Sequence, residues 1–211
     1  MDILNVEVEV YEEIFELINK RYVDYCKNEF HSNLCDKYNL RKTRIRDIAR
    51  DNSIDDEFQR YISRFCDGMD DVRETIYNEI VKYNSLSFKL LSRTKTDISI
   101  EDKIIKKLDE EEGKFQINNY LNDLIGFRII DINLDNNIGY IMKLIENKDS
   151  KKAKIIHRDI EGYKAHHIYL KESNYSFPIE IQLWDEKDEN NNINSHKKYK
   201  QKYKKILNKQ I

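Results

Sequence analysis

The stretch Phe177-Pro178-Ile179-Glu180-Ile181-Gln182-Leu183 alternates apolar and polar residues without a break. Period-two alternation with β-branched residues predicts a strand. One face would be packed (Phe177, Ile179, Ile181, Leu183) and the other wet (Glu180, Gln182). Pro178 falls near the start, where a missing N–H does no harm. A carboxylate and an amide two apart are aimed alike by the packed face behind them. Such a pair can hold a metal or a reacting hydroxyl, or it can be the solvated side of an ordinary amphipathic strand.

Upstream, Gly162 predicts a turn that opens a second strand, Tyr163-Lys164-Ala165-His166-His167-Ile168-Tyr169-Leu170, with Tyr163, Ala165, His167 and Tyr169 on one face. His166 and His167 then point to opposite faces and cannot easily chelate one ion. Before them, 153–157 reads as a strand and 135–146 as a crossover helix. Asn122-Asp123-Leu124-Ile125-Gly126-Phe127-Arg128-Ile129-Ile130-Asp131-Ile132 is a loop running into a strand. Gly126 lets another group approach closely, and Arg128, flanked on its own side by Ile130 and Ile132, calls for an anionic partner.

Arg93 and Lys95 lie two apart in extended chain, and Thr96, Asp97 or Ser99 caps a helix running to about Glu112. Ser99 with Asp102 resembles a capping box, and Lys103 follows one turn on. Three cations around a helix N-terminus make a cradle for a triphosphate. The first 90 residues read as helical: an amphipathic helix over 6–30, a basic helix or loop over 36–51, a helix capped by Ser53 through Phe65, and another from Asp70 to Lys89. The basic cluster of Arg41, Lys42, Arg44, Arg46 and Arg50 reads as a solvated face, with phosphate contact as the alternative.

With 211 residues, one Pro and five Gly, the chain suits one domain with a helical extension and no flexible linker. A net charge of −2 excludes a generic polyanion binder, so contact with nucleotides or nucleic acid must come from local patches. Cys26, Cys35 and Cys66 form no C-x-x-C pair and leave an odd thiol, as expected in a reducing cytoplasm. No apolar run approaches the roughly 18 residues of a membrane span, and no basic n-region of a signal peptide precedes one.

Taken in order, Arg93/Lys95, Ser99-Ile100/Lys103, Asp123/Gly126/Arg128, Gly162-Tyr163-Lys164/His167, Glu180/Gln182 and His196/Tyr199-Lys200 resemble the synthetase domain of the RelA/SpoT family, the alarmone synthetases, over about residues 85–205. The resemblance implies an α+β fold: a nucleotidyltransferase-like mixed β-sheet flanked by helices (91–211), with a helical N-terminal region (1–90) and a basic C-terminal helix. No adjacent His-Asp pair occurs, so the family's metal-dependent hydrolase domain is absent. The size is similar to that of small stand-alone synthetases.

The implied reaction transfers pyrophosphate from ATP to a ribose 3′-hydroxyl of GDP or GTP, giving (p)ppGpp-like alarmones of the stringent response. Arg93, Lys95, Ser99, Lys103 and Arg128 would bind ATP. Asp123 would bind Mg²⁺, Glu180 would complete the metal site or take the proton of the attacking hydroxyl, and Gln182 would orient the hydroxyl or Glu180. Tyr163, Lys164 and His167 would bind the acceptor, Tyr163 by stacking.

The chain departs from the family before Tyr163. Lys154-Ile155-Ile156-His157-Arg158-Asp159-Ile160-Glu161-Gly162 lacks the usual Pro-Lys, Glu161 replaces Asn, and Ala165 replaces Ser. Loss of cations there weakens the expected grip on acceptor phosphates. Toxic members that pyrophosphorylate the 3′ CCA end of tRNA depart in a similar place, and residues 196–209 carry seven Lys with no acid. That makes tRNA the alternative acceptor, with an antitoxin as partner. A third alternative is an inactive nucleotide-binding module. Family members also assemble into homo-oligomers.

Overall fold

The computed structural model describes residues 3–32, 38–81, 88–147 and 152–207, with side chains from Glu9 to Lys198. Helix α1 (Ile3–Tyr25) continues through a π turn, Cys26–Phe30. A two-residue hairpin, β1 (Ala49–Arg50) and β2 (Ser53–Ile54), precedes α2 (Asp56–Ile80). Then follow β3 (Phe88–Thr94), α3 (Asp97–Asp109), the single-turn α4 (Ile117–Tyr120), β4 (Ile125–Asp131), α5 (Leu134–Glu146), β5 (Ala153–Ile160), β6 (Tyr163–Leu170), β7 (Ile179–Asp185) and α6 (Glu189–Leu207).

The expected mixed sheet with flanking helices is present. Five strands lie in the order β3-β4-β7-β6-β5, with β4 parallel to β7 and every other pair antiparallel. The β5–β6 hairpin turns on Glu161 and Gly162, with φ of 52° and 80°. Both central residues are left-handed, the two-residue turn that matches strand twist.

Register gives the sheet two faces of different character. Phe127, Ile129, Ile181, Leu183 and Ile168 point toward the helices, and all are buried in one core with α1, α2 and α5. Phe177, just ahead of β7, packs its ring against Phe58, Tyr61 and Phe65 of α2, and its carbonyl accepts the Tyr22 hydroxyl at 2.9 Å. Each such ring contributes roughly 1.5–3 kcal/mol by burial, so the strand is held in place by its helical backing.

Two helices expected over Ser53–Phe65 and Asp70–Lys89 are one. Its cap is Asp55, not Ser53: the Asp55 carboxylate accepts the Glu57 and Phe58 N–H groups at 3.0 Å each, while Ser53 pairs with Arg50 in the hairpin. The helix continues through Gly68, where Tyr25 of α1 packs against it. A Cβ at Gly68 would meet the Tyr25 hydroxyl at 2.5 Å. Phe88 and Lys89 belong to β3. Helix α3 stops at Asp109, since Glu111 and Glu112 adopt positive φ, and its cap is Thr96, leaving Ser99 inside the first turn.

Cys26 and Cys66 are buried free thiols, and burial pushes each up to about 12, so neither is a reactive thiolate. Cys35 lies outside the described residues. Among the described residues, no helix is long and apolar enough to cross a membrane.

Candidate active site

The second face of the sheet is polar, and it gathers most of the residues singled out in the sequence. Arg93, Gly126, Glu180 and Tyr169 lie in one row across β3, β4, β7 and β6. Arg128, Gln182 and His167 form the next row. The expected wet face of β7 is not wet: Glu180 and Gln182 are 4% and 5% exposed, and all seven residues of the strand are buried. Alternation read from β7 alone could not show that β4 and β6 would flank it and that α6 would pack on Trp184 of the same face.

Glu180 accepts from three donors. Its Oε1 accepts His167 Nδ1–H at 2.7 Å and the Tyr169 hydroxyl at 3.0 Å, and its Oε2 accepts Gln182 Nε2–H at 2.7 Å. Burial alone would raise this carboxyl, but the hydrogen bond and charge of His167, with the Gln182 amide, outweigh it and hold Glu180 below its usual range. A carboxylate offers about four acceptor positions. Three are filled, which leaves one on Oε2 for a ligand.

The network continues in both directions. His167 Nε2 meets the Tyr163 hydroxyl at 2.9 Å. Gln182 Oε1 accepts from Arg128 Nε and Nη2 at 3.0 and 2.8 Å. The guanidinium of Arg128 lies 3.6 Å over the Trp184 ring. Arg128 therefore takes an amide and an indole as partners among the described residues, where the sequence called for an anion. Burial, with the charge of Arg93, lowers it to about 10.

Trp184 also stacks on His196, and Tyr163 sits edge-on to both. With Ile130, Ala165 and Ile193 these rings make a small second core under α6. Burial, together with the charges of Arg128 and Arg93, depresses His196 to about 4. A depressed histidine stabilises the fold above its ordinary value near 6.5 and loses that contribution as pH falls toward the folded value. Stability should therefore drop as pH falls from about 6.5 to 4. His196→Phe, which keeps the stack, should flatten that drop in urea melts. His166, also lowered by burial and by His157, accounts for a residual slope.

At the start of β4, Asp123 bonds Lys95 Nζ at 2.6 Å and Lys103 Nζ at 2.8 Å. Burial opposes its charge, but Lys103 and Lys95 outweigh it and hold the carboxyl at about 2. Lys103, on α3, lies 4.7 Å over the Tyr120 ring, and burial with the charge of Lys95 lowers its affinity for its proton. Ser99 is exposed in the first turn of α3, its hydroxyl 2.9 Å from that of Thr96. Arg93 is exposed and passes over Gly126, whose Cβ would touch its Cγ and Nε at 3.7 Å.

Lys164 is not brought to this group. It follows Tyr163 on β6, so its side chain takes the opposite face, where Nζ lies 3.7 Å from Asp159. Conversely, the stretch before Tyr163 keeps its cations: Lys154 pairs across with Tyr169, and Arg158 Nη2 reaches the Tyr169 hydroxyl at 3.3 Å. Both lie on the polar face, so the missing Pro-Lys does not strip this edge of charge. The sequence reading gave no role to Arg158, Tyr169 or Trp184. Trp184 was within reach, because it continues the alternation of Glu180 and Gln182 by one step. Tyr199 and Lys200 side chains lie outside the described residues.

The donor set on this face suits a hard cation. Mg²⁺ takes one or two carboxylates and completes its shell with water and substrate phosphate. Asp123 and Glu180 are near enough for the charge of one to oppose ionisation of the other.

The model of the region found in RelA/SpoT proteins matches residues 92–204, and the chain belongs to that family. It is an enzyme of the pyrophosphokinase type. Among solved structures, it is similar to small alarmone synthetase 2 from Bacillus subtilis, at 18% identity over 69% of this chain and 82% of that chain, with a TM-score of 0.45. It is also similar to small alarmone synthetase 1 from Bacillus subtilis (18%, 62% and 72%, TM-score 0.39) and to a GTP pyrophosphokinase family protein from Streptococcus pneumoniae (14%, 61% and 70%, TM-score 0.39). No curated protein matches the sequence.

Proposed function

We propose that the protein transfers the terminal pyrophosphate of ATP to the ribose 3′-hydroxyl of GDP or GTP. The observation that carries this is Glu180, a buried carboxylate held ionised by three donors, with one acceptor position left on Oε2. A hydroxyl set against Oε2 gives up its proton there. Its oxygen bonds to the β-phosphorus, the bond from that phosphorus to the α-bridging oxygen breaks, and AMP leaves.

Lys95 and Lys103 exchange Asp123 for triphosphate oxygens, and Arg93 adds charge from the neighbouring strand. Arg128 and Gln182 fix the plane of Glu180. Tyr163 stacks on the acceptor base, and His167 holds both Tyr163 and Glu180. Lys154 and Arg158, on the same face at the β5 edge, favour an acceptor that carries its own phosphates. Asp123 would hold Mg²⁺, which would supply neutralisation of phosphate charge, and the one open position of Glu180 is left to the hydroxyl. Transfer of this kind needs mostly positioning and neutralisation. The chemistry belongs to residues 91–211, with 1–90 as the brace behind the sheet.

The test is incubation of the pure protein with γ-labelled ATP and GDP, GTP or bulk tRNA. Label should enter free guanine nucleotide, with AMP formed in equal amount. Label confined to tRNA would move the acceptor to an RNA 3′ end, and no transfer to any of them would sink the proposal.

A further inference from the structure

A hollow of about 470 Å³ opens between the 39–44 loop and the segments carrying Gln116 and Asn174. Its lining is Asn39, Arg41, Lys42, Arg44, Gln116 and Asn174, none of them placed in the transfer site. Three properties set it apart from a solvated basic face.

The first is that its walls are held by backbone bonds. Leu40 N–H donates to Asn174 C=O at 2.7 Å, Ile117 N–H to Thr43 C=O at 3.0 Å, and Asn118 N–H to Leu40 C=O at 3.0 Å. Leu40 is buried beneath the loop. The cations are thus carried on a fixed frame.

The second is the orientation of the amides. Asn39 Oδ1 accepts Lys42 N–H at 3.2 Å, Gln116 Oε1 accepts Asn119 Nδ2–H at 3.0 Å, and Asn174 Oδ1 accepts Lys171 Nζ–H at 3.3 Å. Each amide spends its oxygen on a protein donor and keeps its NH₂ group uncommitted. The third is charge. No acidic side chain is among the residues that line the hollow; Asp47, outside the lining, spends its Oδ2 on the Arg44 backbone N–H at 2.8 Å. Lys171 is close behind: burial, and then the charge of Arg41, lower its affinity for its proton.

A pocket framed by backbone bonds, whose lining side chains offer three cations and three amide NH₂ groups, matches an anion with several oxygens. We propose that this hollow is a second phosphate-binding site, outside the transfer site, for the phosphates of a free nucleoside polyphosphate or of an RNA backbone. It does not depend on the assignment of Glu180 and Asp123.

The probes are inorganic triphosphate, followed by calorimetry, and a 12-nucleotide oligouridine, followed by fluorescence anisotropy over a range of salt. Both are titrated into the full chain and into Arg41→Gln/Lys42→Gln/Arg44→Gln. The triple variant should lose one equivalent of bound triphosphate, or bind it at least fivefold more weakly, if a free polyphosphate is the ligand. If RNA is the ligand, oligouridine binding should weaken at least tenfold, with its log–log salt slope smaller by about 2. Unchanged triphosphate binding together with unchanged oligouridine binding overturns the site. Lys42→Glu alone, at an exposed position, serves as a second variant should the triple one melt early, and should weaken the same probe.

Discussion

Glu180→Gln should lower pyrophosphate transfer by about 10³-fold, the middle of the range for loss of a positioned proton acceptor. Shape is nearly conserved, so substrate affinities should change little and the loss should fall on kcat. The substitution also tests the network. Gln182 cannot turn its amide over to accommodate a new NH₂, because Arg128 holds Gln182 Oε1 with two hydrogen bonds. The new amide cannot serve both sides: turned one way its NH₂ faces Gln182 Nε2–H, now 2.7 Å from Oε2, and turned the other way it faces His167 Nδ1–H and the Tyr169 hydroxyl. An unsatisfied buried donor costs about 1–3 kcal/mol, so the melting temperature should fall as well. Gln182→Leu in the same background should lower the melting temperature further, because Arg128 Nε and Nη2 then lose their acceptor, and should restore none of the activity. Full transfer by Glu180→Gln would remove Glu180 from the chemistry.

Asp123→Asn should reduce ATP-dependent transfer at least 100-fold and destabilise the fold at the same time. The carboxylate lies between two ammonium groups at 2.6 and 2.8 Å. An amide can accept from one lysine but presents NH₂ to the other, and the negative charge between two cations is gone. Removing one partner of a fully buried pair costs about 3–5 kcal/mol. The Asp123 side chain keeps 16% exposure, so about 1–3 kcal/mol is expected. Adding Lys103→Met should restore part of the melting temperature by removing the like-charge pair. It should restore no transfer, since it removes a phosphate ligand too. Recovery of activity in that double variant would show Asp123 to be only a brace for the lysines.

Much of this site was legible in the chain because strand periodicity assigns faces without reference to neighbours. Tyr163 and His167 share one face of β6 and Glu180 and Gln182 one face of β7, each from alternation alone. The N-terminal helices were less legible. Ser53 and Asp55 are both good caps, and only the β1–β2 hairpin, which takes Ser53 into a strand pair, decides for Asp55. The two helices expected on either side of Gly68 are one. Gly68 is a point of contact, since the hydroxyl of Tyr25 occupies the space a Cβ would fill.

The sequence by itself determined which residue types stand at which strand positions, and with them the family and the class of reaction. Tertiary structure decided their state. Burial of Glu180 follows from β4 and β6 flanking β7 and from α6 lying over Trp184 and Tyr163. Arg158 entered because the β5–β6 register sets it opposite Ala165 on the polar face, from where its side chain reaches the Tyr169 hydroxyl. Proton affinities and hydrogen-bond partners depend on distance and on solvent exclusion. Both arise only when segments far apart in the chain are packed together.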